Sequence, residues 1–363
     1  MTQSRTPQTR AGTSVMAGKG VYNEHSQPQH VAGEDGVPML QRAAAALPPH
    51  ALERITIVDY GSSQGRNSLT PMSAAIDTLR ERVVAQEPIS VVHTDLPAND
   101  FAALFETLQS DPHSYLRDRA NVFAFAIGRS FYERLLPGAT VSLGWSSITV
   151  HWLSAVPCVL GDQIFSPLAG PQQRADFARR AADDWRRFLG HRLVELRPGG
   201  QLVVVGSGAD EQGRSGAEGL MELANAALQT MVADGLLARE DYERMVLPTY
   251  YRTAEEFTEP LASDGPDGSF ALEECTQTDL DDPLWQRLEA SGDTAAYAAS
   301  AAGFLRAFSE PSLFAALSQQ RPAEQVAALA DGFYERVRAA IEQRPEQARC
   351  AWRLVLMRIA KRA

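Results

Sequence analysis

The sequence has very little lysine, no excess of positive charge and no long apolar run. Only Lys19 and Lys361 are lysines, and 34 Lys and Arg side chains face 45 Asp and Glu, which gives a net charge of −11. Such a chain lacks the excess cations with which proteins neutralise a nucleic-acid backbone or an anionic membrane. No stretch approaches the roughly 18 consecutive apolar residues of a membrane-spanning helix. We therefore expect neither a nucleic acid nor a membrane as partner.

The sequence is also poor in cysteine, and its three cysteines are far apart. Cys158, Cys275 and Cys350 form no Cys-x-x-Cys pair, so they predict free thiols rather than a disulfide framework or a zinc site. Residues 1–30 carry no apolar core typical of a signal peptide. We expect a cytoplasmic protein. No His-Glu-x-x-His motif or carboxylate array predicts a catalytic metal.

What the sequence does contain is an alternation of short β-rich runs and longer amphipathic segments. The 363 residues, 44% of them hydrophobic, suffice for one large or two moderate domains. Buried strands are predicted at 55–60, 89–94, 122–127, 141–146 and 201–206, and helices at 68–86, from 99 onward and at 172–195. This alternation predicts right-handed βαβ units and an α/β fold with a mostly parallel sheet.

Beyond residue 206 the predicted elements are mostly helices, with one strand-like segment at 269–277. The sequence predicts three regions: a flexible N-terminal tail at 1–15, an α/β core at 16–206, and a mostly helical substrate-binding cap at 207–348. A last strand at 349–360 is expected to return to the sheet of the core. Because pockets favour domain interfaces, we expect the substrate between core and cap.

The first predicted strand leads into a glycine turn, DYGSSQGRNS at 59–68. Gly61 and Gly65 let the backbone approach a ligand where a Cβ would clash. A dinucleotide fingerprint would read G-x-G-x-x-G, whereas here Asp59 lies inside the motif. Its charge would repel a pyrophosphate and attract the ammonium of an amino-acid group, which favours S-adenosylmethionine over NAD. Asp95 ends the next strand, where an acid can accept both ribose hydroxyls.

Other interpretations of the turn stay open on these residues alone. Asp59 and Asp95 could only cap neighbouring turns. A nicotinamide oxidoreductase, or a protein that binds the cofactor without turnover, could carry a similar turn. The offset from Gly65 to Asp95, 95 − 65 = 30 residues, exceeds the roughly 20 of the dinucleotide pattern and weakens the oxidoreductase interpretation.

Five motifs in order resemble the SABATH family of S-adenosylmethionine-dependent methyltransferases, which includes salicylate, benzoate and jasmonate carboxyl methyltransferases and caffeine-pathway N-methyltransferases. The motifs are MAGKG at 16–20 with Tyr22, Ser26 and Gln29, DYGSSQGRNS at 59–68, DLPANDF at 95–101, GRSFYERLLP at 128–137 and SSITVHWLS at 146–154. A looser similarity continues to the C-terminus.

The resemblance implies a class I methyltransferase, with a Rossmann-like sheet and a mostly helical cap. It implies S-adenosylmethionine as methyl donor, S-adenosylhomocysteine as product, a homodimer and, as in some members, a Mg²⁺ ion near the site. The implied cofactor contacts are Ser26, Asp59, Gly61, Ser62, Asn67, Asp95, Leu96, Ser130 and Phe131.

The resemblance further implies that Gln29 and Trp152 are the catalytic clamp for the carboxylate of a small-molecule acid. A side-chain amide and an indole N–H are neutral donors, so they orient one carboxylate oxygen and leave its charge largely available. The acid is ionised at neutral pH, and methyl ester formation therefore needs no general base. Proximity and orientation in a dry pocket should supply the catalysis. The alternative is methyl transfer to a ring nitrogen of a small heterocycle.

The remaining predicted substrate contacts depart from the salicylate-type pattern. Ile148 stands where the family usually has Tyr, and an aromatic wall is replaced by aliphatic side chains. The predicted set is Ile148, His151, Leu220, Met221, Tyr250 and Leu305. We therefore expect a pocket less aromatic than the salicylate type, which favours a bulkier or more aliphatic acid than salicylate.

Overall fold

A seven-stranded sheet forms the centre of the fold. The structure, a computed structural model, describes residues 16–18, 20–262, 269–318 and 321–362; the predicted tail at 1–15 and Lys19 of the N-terminal motif lie outside the described residues. The strands are β1 Ile55–Tyr60, β2 Ile89–Asp95, β3 Val122–Gly128, β4 Val141–Ser147, β5 Leu196–Ser207, β6 Phe270–Leu280 and β7 Trp352–Lys361.

The strand order is β3-β2-β1-β4-β5-β7-β6. The first five strands of this order pair in parallel, and β7 pairs antiparallel with both β5 and β6. The α/β class with a mostly parallel sheet is confirmed. The last predicted strand does return to the sheet, as β7.

Twelve α-helices accompany the sheet in the described ranges. They are α1 Val21–His25, α2 Gln27–Glu34, α3 Val37–Ala45, α4 Leu69–Arg80, α5 Phe101–Ser110, α6 Pro171–Glu195, α7 Glu218–Ala233, α8 Arg239–Glu243, α9 Ala254–Thr258, α10 Pro283–Ser291, α11 Thr294–Ser318 and α12 Ala323–Gln343. None of them combines the length and apolarity that crossing a bilayer would require.

One strand lies in the sheet although its residues fall inside the range predicted as cap. β6 pairs with β7 along its whole length, from the pair Phe270 and Lys361 to the pair Leu280 and Trp352. Helix α9 also packs on the core, because Phe257 joins the apolar cluster beneath the sheet. The range 207–348 is therefore not wholly cap, and its helical part consists mainly of α7, α8 and α10 to α12.

Three apolar clusters hold these layers together. Helices α3, α4 and α5 cover one face of the sheet through residues such as Met72 and Leu104, and α6 covers the other through Trp185 and Phe188. The third cluster joins α7, α11 and α12, and it also includes Trp152 from the segment after β4. That segment therefore lies where the sheet meets the cap helices.

The functional loops follow from the strand order. β1 lies between β2 and β4, and the carboxyl ends of these parallel strands share one edge of the sheet. In open α/β sheets, ligands bind at this edge, where neighbouring connections diverge. Asp95 ends β2, the glycine turn follows β1, and the segment from Ile148 to Trp152 follows β4.

Candidate active site

A groove runs along the carboxyl ends of β1, β2 and β4. Its walls come from the N-terminal segment, the glycine turn, the loops after β2, β3 and β4, and helix α6. Of the predicted cofactor contacts, it is lined by Gly61, Asp95, Leu96, Ser130 and Phe131. The structure therefore brings together five predicted residues that are far apart in the sequence.

The glycine turn is shaped by backbone conformations that few residues adopt. Gly61 has φ +90°, and a Cβ added to it would lie 2.2 Å from Thr149 Cγ2. Gly65 has φ +84°, and Ser63 between them has φ +48°, which is uncommon for a residue with a side chain. The turn therefore holds strained backbone in a close approach to the β4 loop, as expected at a ligand site.

Asp95 is anchored on both of its carboxylate oxygens. Oδ2 accepts the N–H of Ser63 at 2.7 Å, and Oδ1 accepts the N–H of Leu96 at 2.7 Å. Burial, with a smaller effect from the charge of Asp59, raises the pKa of Asp95 to about 6. Each oxygen keeps a second lone pair, so the carboxylate is oriented and can still accept hydroxyl groups from a ligand in the groove.

Asp59 belongs to a buried chain of hydrogen bonds behind the turn. Its Oδ2 accepts Ser68 Oγ at 2.5 Å and lies 3.1 Å from His93 Nδ1, and His93 Nε2 lies 2.7 Å from the hydroxyl of Tyr115. Asp59 itself does not line the groove. Both of these contacts use Oδ2, so Oδ1 takes no part in this chain of hydrogen bonds.

The loop that carries Ser130 and Phe131 is held by a buried ion pair at the end of α6. Arg192 donates to the carbonyls of Phe131 and Glu133 at 2.7 and 3.0 Å, and it pairs with Glu195 at 2.9 Å. Glu195 in turn accepts the N–H of Leu135 at 2.6 Å. Both charged side chains are 0% exposed, so the loop is fixed by a fully desolvated pair.

Three other predicted cofactor contacts do not line the groove. Ser26 ends α1 and is buried, Ser62 is buried with its Oγ unpartnered, and Asn67 lies in the short helical turn before α4. Tyr22, which the sequence motif includes but which we did not predict as a contact, does line the groove. Its position within the family motif was the available signal.

A second cavity adjoins the groove on the cap side. It is lined by Met16, Tyr22, Gln29, Ile148, His151, Trp152, Ser207, Ser215, Ala217, Leu220, Met221, Tyr251, Phe304, Phe308, Cys350, Ala351 and Trp352. None of these described lining residues is Asp, Glu, Lys or Arg. The groove and the cavity share four of them, namely Met16, Tyr22, Ile148 and Trp152.

The cavity has neutral polar groups that lack partners within the described protein. Gln29 Oε1 and His151 Nδ1 are buried without a hydrogen bond. Burial, and to a lesser extent the charge of Arg252, lowers the pKa of His151 to about 3, so its imidazole is neutral at physiological pH. Its ring stacks on Tyr251 at 5.4 Å between centroids. These groups can recognise a ligand through hydrogen bonds without forming an ion pair.

Ile148 forms part of the shared wall in an unusual conformation. Its φ is +49°, which is an outlier for a β-branched residue. Its N–H donates to the carbonyl of Val205 at 2.8 Å, so the neighbouring strand β5 imposes this conformation. The strain lies at the contact between groove and cavity.

Two of the predicted substrate contacts do not line this cavity. Tyr250 lies outside the cavity and donates its hydroxyl to Glu256 at 2.7 Å, while its neighbour Tyr251 lines the cavity. Leu305 is fully buried in the cap cluster, and Phe304 and Phe308 on the same helix line the cavity instead. Gln29, Ile148, His151, Trp152, Leu220 and Met221 do lie at the cavity. With Trp352 added, the cavity wall is rich in aromatic rings.

The groove fits S-adenosylmethionine on three observations. The carboxylate of Asp95 can accept a diol, the buried carboxylate of Asp59 behind the turn attracts an ammonium, and the cradle at Gly61 admits no Cβ. The hydroxyls of Ser62 and Ser63 are also buried without partners. For Mg²⁺ the described residues contain no group of three His, Cys, Asp or Glu side chains that could hold a metal ion.

Comparison with known proteins places the chain among methyltransferases. The model of the S-adenosylmethionine-dependent carboxyl methyltransferase family matches residues 13–360. Methyltransferase LUC1 of a Fusarium species is 32% identical over 248 residues, which are 66% of this chain and 64% of the relative. The chain therefore spans just under two thirds of that relative's length.

A second relative and a solved structure extend the comparison. The 7-methylxanthine methyltransferase PCS1 of Camellia ptilophylla is 26% identical over 315 residues, 80% of this chain and 83% of the relative. The structure of a loganic acid methyltransferase with S-adenosylhomocysteine has a TM-score of 0.77 at 18% identity and covers 96% of this chain and 99% of that chain. This likeness shows that the two proteins share a fold.

Proposed function

The chain belongs to the family of S-adenosylmethionine-dependent carboxyl methyltransferases, and from that premise we propose that it converts a small monocarboxylic acid to its methyl ester. The observation that carries the proposal is the shared wall of two cavities. One cavity fits the cofactor, the other has no charged lining among the described residues, and they meet at Met16, Tyr22, Ile148 and Trp152. Bound S-adenosylmethionine supplies a methyl group on a positively charged sulfur.

In this proposal Gln29 and Trp152 hold the acid. The side-chain amide N–H of Gln29 and the indole N–H of Trp152 each donate to the carboxylate, and both side chains line the cavity. The protein accepts no proton, because the acid is already ionised. It orients one carboxylate oxygen toward the groove and excludes water from the contact.

We propose an acid with a flat ring. Tyr251, Phe304, Phe308 and Trp352 supply aromatic faces, and aromatic pairs stabilise each other beyond their buried area. A second carboxylate would be buried without a counter-ion in this cavity, which disfavours diacids. The unpartnered Nδ1 of His151 suits one further neutral polar group on the substrate.

We propose cofactor contacts from Oδ1 of Asp59 and from Gly61, Asp95, Leu96, Ser130 and Phe131. Contacts from Ser26, Ser62 and Asn67 stay predictions. The division into a core and a cap is likewise a proposal, with β6 assigned to the core. The cavity contacts of α7 and α11 support it, because both helices belong to the cap cluster.

A panel of carboxylic acids tests the proposal. The purified chain is incubated with each acid, and separately with xanthines, in the presence of methyl-labelled S-adenosylmethionine, and the products are analysed by mass spectrometry. We expect a labelled ester from a ring-containing monoacid, with diacids turned over at least tenfold more slowly. A label that appears only on the ring nitrogen of xanthines would favour the N-methyltransferase alternative instead.

We further propose a homodimer in the cytoplasm. The dimer is an expectation from the family, and the three cysteines, none of which forms a disulfide in the structure, suit a reducing compartment. Light scattering should give twice the chain mass of 39.6 kDa at micromolar concentration. A monomer under these conditions would overturn the dimer proposal.

A further inference from the structure

Arg252 is a buried cation without a carboxylate partner. It is 1% exposed, its Nη1 donates to the carbonyl of Val150 at 2.6 Å, and its Nη2 donates to the carbonyl of Ala181 in α6 at 2.6 Å. Its Nε is buried and unpartnered. Buried charges are normally paired, because desolvation of a lone charge is costly.

The surroundings of Arg252 fix the guanidinium without an ion pair in the described residues. The rings of Trp185 and Phe257 lie 5.8 and 5.7 Å from its Cζ, which gives a partial cation–π stabilisation. Asp184 is buried nearby but committed elsewhere, because it accepts the N–H and the hydroxyl of Ser154 at 2.8 and 2.7 Å. No ion pair in the described chain includes Arg252, although Glu255, Glu256 and Glu259 line a further cavity together with it.

The carbonyl that Arg252 binds lies directly before the two substrate-facing residues His151 and Trp152. Neutral groups hold the rest of this segment. The hydroxyl of Tyr132 donates to the carbonyl of Trp152 at 2.6 Å, and the N–H of Tyr250 donates to the carbonyl of His151 at 2.8 Å. Arg252 is therefore the one charged anchor of the segment in the described structure.

We propose that Arg252 is a positioning residue for the carboxylate clamp, which fixes the backbone before His151 and Trp152 and stabilises the bound acid by its charge without touching it. The inference rests on the proposed function. At an effective dielectric constant of about 20, the attraction between two opposite charges about 10 Å apart raises a binding constant roughly tenfold. The field reaches the cavity wall, since the charge of Arg252 contributes to the lowered pKa of His151. A cation at this distance favours an anionic ligand and leaves the carboxylate oxygen of the ligand free to react.

The test compares an acid with its neutral isostere. The probes are the panel acid with the highest kcat/KM and its primary amide, which is measured as a competitive inhibitor. The variants are Arg252→Met, which removes the charge, and Arg252→Lys, which keeps the charge but cannot reproduce the two hydrogen bonds from Nη1 and Nη2. Trp185→Phe serves as the matched control, because it perturbs the same packing and removes only a neutral hydrogen bond to the carbonyl of Phe257.

We expect Arg252→Met to weaken binding of the acid about tenfold more than binding of the amide. The dissociation constant of S-adenosylhomocysteine should change less than threefold. Arg252→Lys should restore the acid-to-amide ratio but keep a lowered kcat. Trp185→Phe should leave the ratio unchanged. Equal losses for acid and amide in both Arg252 variants would overturn the charge role, and unchanged KM and kcat would overturn the proposal entirely.

Two further results separate this inference from the proposed function. If the wild-type chain esterifies no acid of the panel, the proposed function fails, and this inference fails with it. If the wild-type chain is active and only the Arg252 comparison gives equal losses, this inference alone fails. Should Arg252→Met not fold, Arg252→Lys decides the matter, since an unchanged kcat in that folded variant would contradict the positioning role.

Discussion

At the scale of single residues, Asp95 makes the cofactor site sensitive to acid. Its pKa is raised to about 6, mainly by burial, so protonation below that pH removes an acceptor that the ribose hydroxyls need. We predict that the dissociation constant of S-adenosylhomocysteine rises as pH falls from 7 to 5. Asp95→Asn should bind at least tenfold more weakly at pH 8 and lack this pH dependence, because a charged hydrogen bond contributes about 1.5–3 kcal/mol. Calorimetry across this range measures both effects.

The same raised pKa has a consequence for stability in the absence of cofactor. The folded value lies above the ordinary value of about 4, so Asp95 contributes stability that is present below pH 4 and lost as pH rises through 6. Urea titrations of wild type and Asp95→Asn measure this contribution as a difference in unfolding free energy. If that difference instead shifted in favour of wild type as pH rises from 4 to 6, the assigned pKa would be contradicted.

The buried chain of hydrogen bonds behind the glycine turn depends on the imidazole of His93. It lies between Asp59 and the hydroxyl of Tyr115 and is 0% exposed. His93→Leu should destabilise the fold by about 3–5 kcal/mol, because it leaves a buried carboxylate short of a partner. Tyr115→Phe is the control and should cost about 1 kcal/mol, since it removes only the outer hydrogen bond. If urea unfolding gave both variants the same loss of unfolding free energy, His93 would not be the central link of this chain of hydrogen bonds.

Residue-level sequence reasoning failed where the backbone is irregular. Tyr250 and Tyr251 are neighbours in a segment without helix or strand, so no periodicity indicates which of the two faces the cavity. On α11, Leu305 faces the cap cluster while Phe304 and Phe308 face the cavity. Both surroundings are apolar, and a helix that is apolar on several sides gives no amphipathic signal.

At the scale of elements, the end of α6 positions the loop that carries the proposed cofactor contacts Ser130 and Phe131. Arg192 and Glu195 are fully buried and bind the backbone of residues 131–136. Glu195→Gln should cost about 3–5 kcal/mol of unfolding free energy, because it leaves the Arg192 charge unpaired. It should also weaken the binding of S-adenosylhomocysteine, because the backbone that carries Ser130 and Phe131 is no longer held in place. Chemical unfolding and calorimetry measure the two losses.

A matched variant distinguishes this effect from the general loss of a surface ion pair. Glu133→Gln breaks the exposed pair with Arg129, and exposed pairs contribute about 0–1 kcal/mol. Because Glu133 also lines the groove, this comparison uses the unfolding free energy alone. If Glu195→Gln were as mild as Glu133→Gln, the buried pair would not support the loop.

The elements that sequence patterns predicted well are those buried on both sides. β1, β2 and β4 are buried along most of their lengths, as parallel strands covered by helices should be, and their predicted bounds differ from the observed ones by at most one residue. Helices α1 to α3 were not predicted, because they are short and are separated by glycine and single residues. β6 was predicted as a strand but assigned to the cap, since its pairing with β7 joins residues far apart in the sequence.

At the scale of the whole molecule, the N-terminal segment connects the two cavities to the cap. The N–H of Ala17 donates to the carbonyl of Ala307 in α11 at 2.9 Å, and the side chain of Gln64 donates to the carbonyl of Ala17 at 2.6 Å. Met16 and Tyr22 of this segment line both cavities. The glycine turn, the N-terminal segment and α11 therefore form one continuous enclosure.

Gln64→Ala should loosen this enclosure. We predict a rise of about three- to tenfold in both the KM of the acid and the dissociation constant of S-adenosylhomocysteine, because the segment covers both sites. The unfolding free energy should fall by only about 1 kcal/mol, the contribution of one hydrogen bond. Gln172→Ala, on the exposed start of α6, is the control and should change neither constant. An effect of Gln64→Ala on one ligand alone would argue against a common cover.

The most direct test of the central claim uses one labelled reaction. The chain is incubated with the best acid of the panel and S-adenosylmethionine that carries a trideuterated methyl group, and the product is then treated with mild alkali. If the carboxylate held by Gln29 and Trp152 is the acceptor, wild type gives a labelled product that alkali converts back to the acid. Gln29→Ala and Trp152→Phe should lower the rate on the order of 100-fold, since misplacement by about 1 Å can have this effect, while S-adenosylhomocysteine binding is kept. A labelled product that resists alkali, or full activity in both variants, would contradict the account.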